Sequence, residues 1–178
     1  VAPLGATFIL LGKGGNMFNV GDMAVYPAHG VGVIEKIETK EISGSKQDFY
    51  IMRILDNGMK IFIPTKSARS VGLRSVISEE EVDRLYSILQ KRDVVIPNQS
   101  WNRRYREYMD KIKTGSIYEV AEVYRNLTLL KSSKELSFGE RKILETARSL
   151  LVRELSIAKC CPPQEVEKDL EKVCNGMG

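Results

Sequence analysis

The sequence predicts an α+β protein in two parts, a small antiparallel β half-barrel followed by a compact all-α bundle of about five helices. Between Phe18 and about Ile77, runs rich in Val, Ile, Tyr and Phe are punctuated at short intervals by Gly, Pro and Asn, the pattern of short strands and tight turns. From Ser78 onward a Ser-x-x-Glu pattern recurs at Ser78/Glu81, Ser116/Glu119 and Ser137/Glu140. In such a capping box the serine oxygen accepts an orphan backbone N–H at a helix start and the glutamate reaches back. A third signal is the stripe Ile143, Leu144, Ala147, Leu150, Leu151, Glu154, Leu155 and Ala158, whose three- and four-residue steps make it one face of a long helix.

In the first part, Gly21-Asp22, Pro27, Gly30, Gly32, Gly44-Ser45, Asn57-Gly58 and Pro64 are the breaks. Asn57-Gly58, between FYIMRIL and MKIFI, predicts a hairpin closed by a two-residue type I′ turn, which needs positive φ at both central residues. Four or five strands in about sixty residues are too few for a sandwich and suit a bent half-barrel of the SH3 or Tudor kind. Along Met59–Pro64 the alternation puts Met59, Ile61 and Ile63 on one face and Lys60, Phe62 and Pro64 on the other. Pro64 has no N–H for a ladder, which places that strand at a sheet edge. An edge with an outward Phe and a Pro suits a protein partner, although a barrel this small also buries both faces readily.

In the second part, helices are expected at 79–92, 101–113, 117–131, 138–159 and 163–174. Gly115 follows the second, and Cys161-Pro162-Pro163 separates the last two. The boundary falls between Ser70 and Ser78, giving domains 17–77 and 78–178. Residues 1–16, VAPLGATFILLGKGGN, show neither helical nor strand periodicity. They read as an expression scar or an over-extended start, with Met17 as the natural first residue.

The chain has 178 residues, and its 27 Lys+Arg against 23 Asp+Glu give a formal charge of +4. With 43% hydrophobic and 28% charged residues it is too apolar for a disordered chain and too mixed for a fibre. Its longest uncharged run, Val1–Gly12, is shorter than the roughly 18 apolar residues of a membrane span. Neither membrane insertion nor secretion is expected. Three cysteines without a Cys-x-x-Cys spacing point to a reducing, cytoplasmic compartment. One histidine, His29, in a turn-like YPAHGVG, and no phosphate-loop, metal or nucleophile motif leave no basis for catalysis, a metal or another cofactor, or a small-molecule substrate.

The segment SWNRRYREYMDKIKTG is different. It places Trp101, two tyrosines and the cations Arg103, Arg104, Arg106, Lys111 and Lys113 on one short helix. Arginine neutralises phosphate, and a flat ring stacks on a base or wedges a base step. Trp101, Tyr105 and Tyr108 equally fit a core face with the arginines solvated, but Trp101, in the first turn after a polar loop, is expected to be exposed. Arg141 and Lys142 stand in the first turn of the fourth helix, where cations oppose the dipole and add no local stability. That suits phosphate contact, or an ordinary surface pairing with Glu145.

GDMAVYPAHGVGVI, FY-x-x-RIL-x-NGM-x-I-x-IP, VGLR, WNRRYREYMDKIKTG, VAEVYRNL and LSFGERKILETARSLLVRELSIA, from Met17 to about Asn175, resemble the CarD-like, or CdnL, bacterial transcription regulators. The resemblance implies a Tudor-like domain that binds the RNA polymerase β subunit and a helical domain that contacts promoter DNA at the upstream edge of the melted region. Such a protein stabilises the open complex without reading sequence, and it is nucleoid-associated through the polymerase. By motif, Trp101 is the wedge in the minor groove, and Arg103, Arg104, Arg106 and Arg141 lie against DNA. Phe62 and Pro64 match the strand that meets the β subunit, with Lys40 on the neighbouring strand; Lys142 is added from the charge pattern. An RNA-binding or ribosome-associated Tudor/SH3-type module is the alternative for the same aromatic and basic helix.

Overall fold

The computed structural model describes residues 16–176, so the reading of residues 1–16 as a scar lies outside the described residues except at Asn16. Five antiparallel strands, β1 (Met23–Tyr26), β2 (Gly30–Ile42), β3 (Ser45–Ile54), β4 (Lys60–Pro64) and β5 (Arg74–Ser75), form one open sheet in the order β4-β3-β2-β1-β5. Pro64 therefore does lie on an edge strand. Glu35 is an extra residue between the pairs Ile34↔Met52 and Lys36↔Ile51, and such a bulge increases local twist and bends the strand. One face covers Phe18, Ala24, Ile34, Tyr50, Met52, Ile54, Ile63 and Leu73. In the interior strand β3 both faces are buried from Phe49 to Met52.

The hairpin at Asn57-Gly58 forms, but not with a two-residue type I′ turn. Gly58 has φ 70° while Asn57 is outside the positive-φ region. Gly58 N–H donates to Ile54 O at 2.9 Å and Ile54 N–H to Met59 O at 2.8 Å. The Asn57 side chain accepts from Met59 N at 2.9 Å, a local bond that stabilises a longer loop. Positive φ at two successive residues occurs instead at Ser43 (51°) and Gly44 (79°), joining the paired residues Ile42 and Ser45. The type I′ geometry that twisted strands favour is thus at the β2–β3 tip.

Five helices follow: α1 (Glu79–Gln90), α2 (Trp101–Lys113), α3 (Ile117–Ser133), α4 (Phe138–Ala158) and α5 (Pro163–Asn175). Capping boxes open α1 and α4 through Ser78/Glu81 and Ser137/Glu140. The third box does not form. The Thr114 hydroxyl donates to Glu119 and accepts from Ser116 N at 3.2 Å, so threonine takes the part expected of the glutamate. Ile143, Ala147, Leu151 and Leu155 of α4 are buried against α1, α3 and α5, whose Cys174 closes the core.

Glu154, the one acid in the apolar stripe, is 2% exposed and belongs to the seam between sheet and bundle. Arg74 of β5 donates to it twice, Nη1 to Oε1 at 2.6 Å and Nη2 to Oε2 at 2.9 Å, while its Nε donates to Gly115 O at 2.8 Å. Ile77 N–H adds a bond to Glu154 Oε1 at 3.1 Å. Around this clamp Val25, Pro27 and Gly30 meet Ile117, Val120 and Leu150, leaving a void of only about 20 Å3. At its rim Arg153 pairs with Asp56 at 2.6 Å.

Arg74→Ala should lower unfolding free energy by about 3–5 kcal/mol, because it leaves a buried carboxylate uncompensated. Glu154→Gln should cost less, about 1–3 kcal/mol, since Arg74 keeps some access to water. Urea unfolding of both variants checks this; an Arg74→Ala loss below about 1 kcal/mol would contradict the clamp.

Candidate nucleic-acid interface

The starts of α2 and α4 come together at one end of the bundle. Trp101, at the first position of α2, lies with its benzo edge on the backbone of Gly139, where a Cβ would stand 2.5 Å from Cζ2. Tyr105 meets the indole edge-on at 5.5 Å between centroids. The ring is half-buried, less open than the exposed indole expected from its place in the first turn: the glycine in α4 offers it a seat. Tyr108 is buried in the core and Tyr105 exposed, so the core-face reading holds for only one of the tyrosines.

Arg104 departs from its expected place. It is 9% exposed, donates through Nη1 to Glu140 Oε1 at 2.8 Å and through Nη2 to Gln99 O at 3.2 Å. Its position, three residues after Trp101 and four before the buried Tyr108, turns it inward, so its charge is used by a buried carboxylate and not offered to solvent. Arg103 is exposed and loosely paired with Glu107 at 3.3 Å. Arg106 and Lys142 are exposed and have no ion-pair partner among the described residues. Arg141 does not pair with Glu145; its Nη1 donates to Leu136 O at 2.7 Å and lies 3.9 Å from Glu135. Lys111 is paired with Glu122.

Two residues that the sequence did not single out belong here. Phe138, the first residue of α4, is 75% exposed. Lys134, at the end of α3, donates to Glu140 at 3.2 Å and remains largely in solvent. With Trp101, Asn98, Gln99 and Gly139 they line an open concavity of about 590 Å3. The sequence does carry a signal for Phe138: an aromatic directly after the capping Ser137, out of step with the apolar stripe of its own helix, has no core to enter.

Glu140 is 2% exposed. Burial pushes its pKa up, but the backbone and side chain of Ser137 and the Lys134 ammonium outweigh burial and hold it below the ordinary 4.5. A folded-state pKa lowered in this way contributes stability above the unfolded value, lost as pH falls through the folded one.

At the sheet, Phe62 is 52% exposed on edge strand β4. The Lys40 ammonium sits 4.4 Å from its ring centroid, a cation–π contact. Lys40 is not on the neighbouring strand: it belongs to β2, with β3 between, and its long side chain crosses the twisted sheet to reach Phe62. Pro64 pairs opposite Phe49 at the end of the same edge and is half-buried.

A five-stranded open sheet clamped to a five-helix bundle, carrying an aromatic edge on one part and an aromatic and basic helix junction on the other, makes a two-domain α+β fold with a Tudor-like N-terminal domain. Residues 18–77 match the family model described as the CarD-like/TRCF RID domain, and residues 84–171 match CarD, C-terminal domain. The chain belongs to the CarD-like family of transcription factors. It is 38% identical over 153 residues to "Putative transcription factor YdeB" of Bacillus subtilis (strain 168), across 85% of this chain and 98% of that protein. A solved structure, "CdnLNt from Myxoccoccus xanthus", is 51% identical over 38% of this chain and 94% of that chain, with a TM-score of 0.31. Among the described residues no helix is long and apolar enough to cross a membrane.

Arg104→Ala should destabilise the bundle by about 1–3 kcal/mol, whereas Arg103→Ala and Arg106→Ala should each stay within about 0.5 kcal/mol. In Glu140→Gln the decline in stability as pH drops below 4.5 should be shallower than in the parent. Thermal unfolding between pH 3 and 7 (a range of about four units around the carboxylate pKa) reads both; equal losses for the three arginine variants would contradict the buried role of Arg104.

Proposed function

We propose that residues 17–77 dock on the β subunit of bacterial RNA polymerase through Phe62, Pro64 and Lys40. Residues 78–178 then contact promoter DNA at the upstream edge of the melted region through Trp101, Arg103, Arg106, Arg141 and Lys142, with Phe138 and Lys134 as neighbours. The protein lengthens the life of the open complex and reads no sequence. The observation that carries this reading is the junction of α2 and α4, where two accessible rings stand at the starts of helices that also carry Arg103, Arg106, Arg141 and Lys142, exposed cations that no buried carboxylate engages. Such a surface can set a ring against a base step while cations take the flanking phosphates.

Each surface alone is weak. A handful of phosphate contacts gives only non-specific affinity at physiological salt, and a short strand edge makes a small interface. Joined in one body, docking of the first raises the effective concentration of the second at the promoter. A protein that binds open complex better than closed shifts the melting equilibrium by that ratio of affinities, about 1.4 kcal/mol for each factor of ten.

In a competitor-challenge measurement of open-complex lifetime, Trp101→Ala should shorten the lifetime by about five- to 150-fold, the 1–3 kcal/mol of a stacked ring. Its affinity for core polymerase should be unchanged. Phe62→Ala should reverse the pattern, weakening polymerase binding while the helical domain keeps its DNA affinity. An unaltered lifetime in folded Trp101→Ala rejects the DNA part of the reading, and an unaltered polymerase affinity in Phe62→Ala rejects the docking edge. Replacing Arg103, Arg106 and Arg141 by Ala should flatten the salt dependence by about 0.9 in log-log slope for every phosphate no longer neutralised, about equally for unrelated duplexes. Single-stranded RNA that competes as well as duplex DNA would point to an RNA-binding module instead.

A further inference from the structure

We infer that Gly139 and the buried Arg104–Glu140 pair are positioning residues for Trp101, holding its indole in a single pose at the surface of the helical domain. The effect on DNA rests on the function proposed above; the pose itself does not.

Gly139 lies in the first turn of α4 and is absent from the glycines with positive φ. Alanine would therefore fit its backbone and serve the helix better. What a side chain there meets is Trp101: an added Cβ would come within 2.5 Å of Cζ2, 3.2 Å of Cε2 and 3.3 Å of Cη2, closer than a ring fixed in place tolerates. The residues on either side of Gly139 differ sharply. Phe138 projects into solvent, while Glu140 turns inward and binds Arg104, one turn along α2 from Trp101. Glu140 is itself tethered by Ser137 N–H at 2.8 Å. The two helix starts are thus joined twice, by ring on backbone at Trp101–Gly139 and by charge at Arg104–Glu140, with Tyr105 closing the other side of the indole. A ring already held in one pose loses little side-chain freedom when it enters a partner, which favours binding by preorganisation. None of the three positioning groups needs to touch the partner.

Trp101 is the only tryptophan in the chain, so intrinsic fluorescence of the full-length protein reports this ring alone. In Gly139→Ala the emission should move to the red and acrylamide quenching should rise, with the helical circular dichroism retained. Open-complex lifetime should fall by about fivefold or more, the lower end of what loss of a stacked ring produces. Trp101→Phe removes Cζ2 and Cη2, so adding Gly139→Ala to Trp101→Phe should leave its lifetime within about twofold, the non-additivity of neighbouring residues. Emission and quenching unchanged in Gly139→Ala would overturn the inference whatever the DNA result. So would a displaced ring with normal lifetime, provided Trp101→Ala shortens it. If fluorescence moves as expected while neither variant alters lifetime, the positioning stands and the DNA reading falls. Should Gly139→Ala not fold, Glu140→Gln gives the same optical test, and unaltered quenching there would overturn the inference.

Discussion

A carboxylate removed from water carries a desolvation cost of several kcal/mol, which only close counter-charge and further hydrogen bonds offset. Glu154 meets that requirement across the molecule, with both oxygens engaged by Arg74 and a third bond from Ile77 N–H. The geometry leaves little slack. β5 must lie at the edge of the sheet for Arg74 to reach, the α2–α3 turn must present Gly115 O to the same guanidinium, and α1 must begin just beyond Ile77. The relation between sheet and bundle is consequently tied to this one set of bonds. A small slip would strand a buried charge instead of being absorbed gradually.

The same device appears on a smaller scale at the other end of α4. Glu140 is buried and bound by Arg104, Lys134 and Ser137, and the bond to Arg104 ties α2 to α4 as Arg74 ties the sheet to α4. Arginine suits both places because its planar fork offers five donors and keeps its charge when buried. Two groups of basic residues therefore stand apart. Arg74, Arg104 and Arg125 are spent inside, the last donating to Ile88 O. Arg103, Arg106, Arg141 and Lys142 are left outside with weak or no partners among the described residues. A formal charge of +4 says nothing of this division, yet the division decides how much charge faces a partner.

Most of the architecture was legible in the sequence, and the exceptions have physical reasons. Helix positions followed from periodicity and capping together, and the edge position of β4 followed from one missing N–H at Pro64. The hairpin turns were exchanged because Asn57 has an amide that bonds Met59 N locally, while Ser43-Gly44 reaches the same positive φ with a less telling pair of residues. Arg104 was expected outside because it sits in a basic run. Its spacing from Trp101, Tyr108 and Ile112 nevertheless puts it on the apolar face of α2, whose buried residues are Arg104, Tyr108 and Ile112. A charge in register with an apolar stripe marks a buried pair, and Glu154 carried the same sign within α4. No such sign exists for the approach of Lys40 to Phe62, which depends on sheet twist across an intervening strand.

The clamp also bears on how the chain is made. Arg74 and Glu154 are 80 residues apart, so at about 5–20 residues per second the ribosome takes roughly 4–16 s to deliver the partner of a finished β5. Early in that interval the sheet has emerged with Val25 and the Pro27–Gly30 turn uncovered; Ile117 and Val120, which close over them, are made about halfway through it and Leu150 only near its end. An apolar strip on a nascent sheet is open to other chains for seconds, longer than the milliseconds in which a small β domain can itself fold. The face that ends as a closely packed seam is, during synthesis, an exposed apolar one.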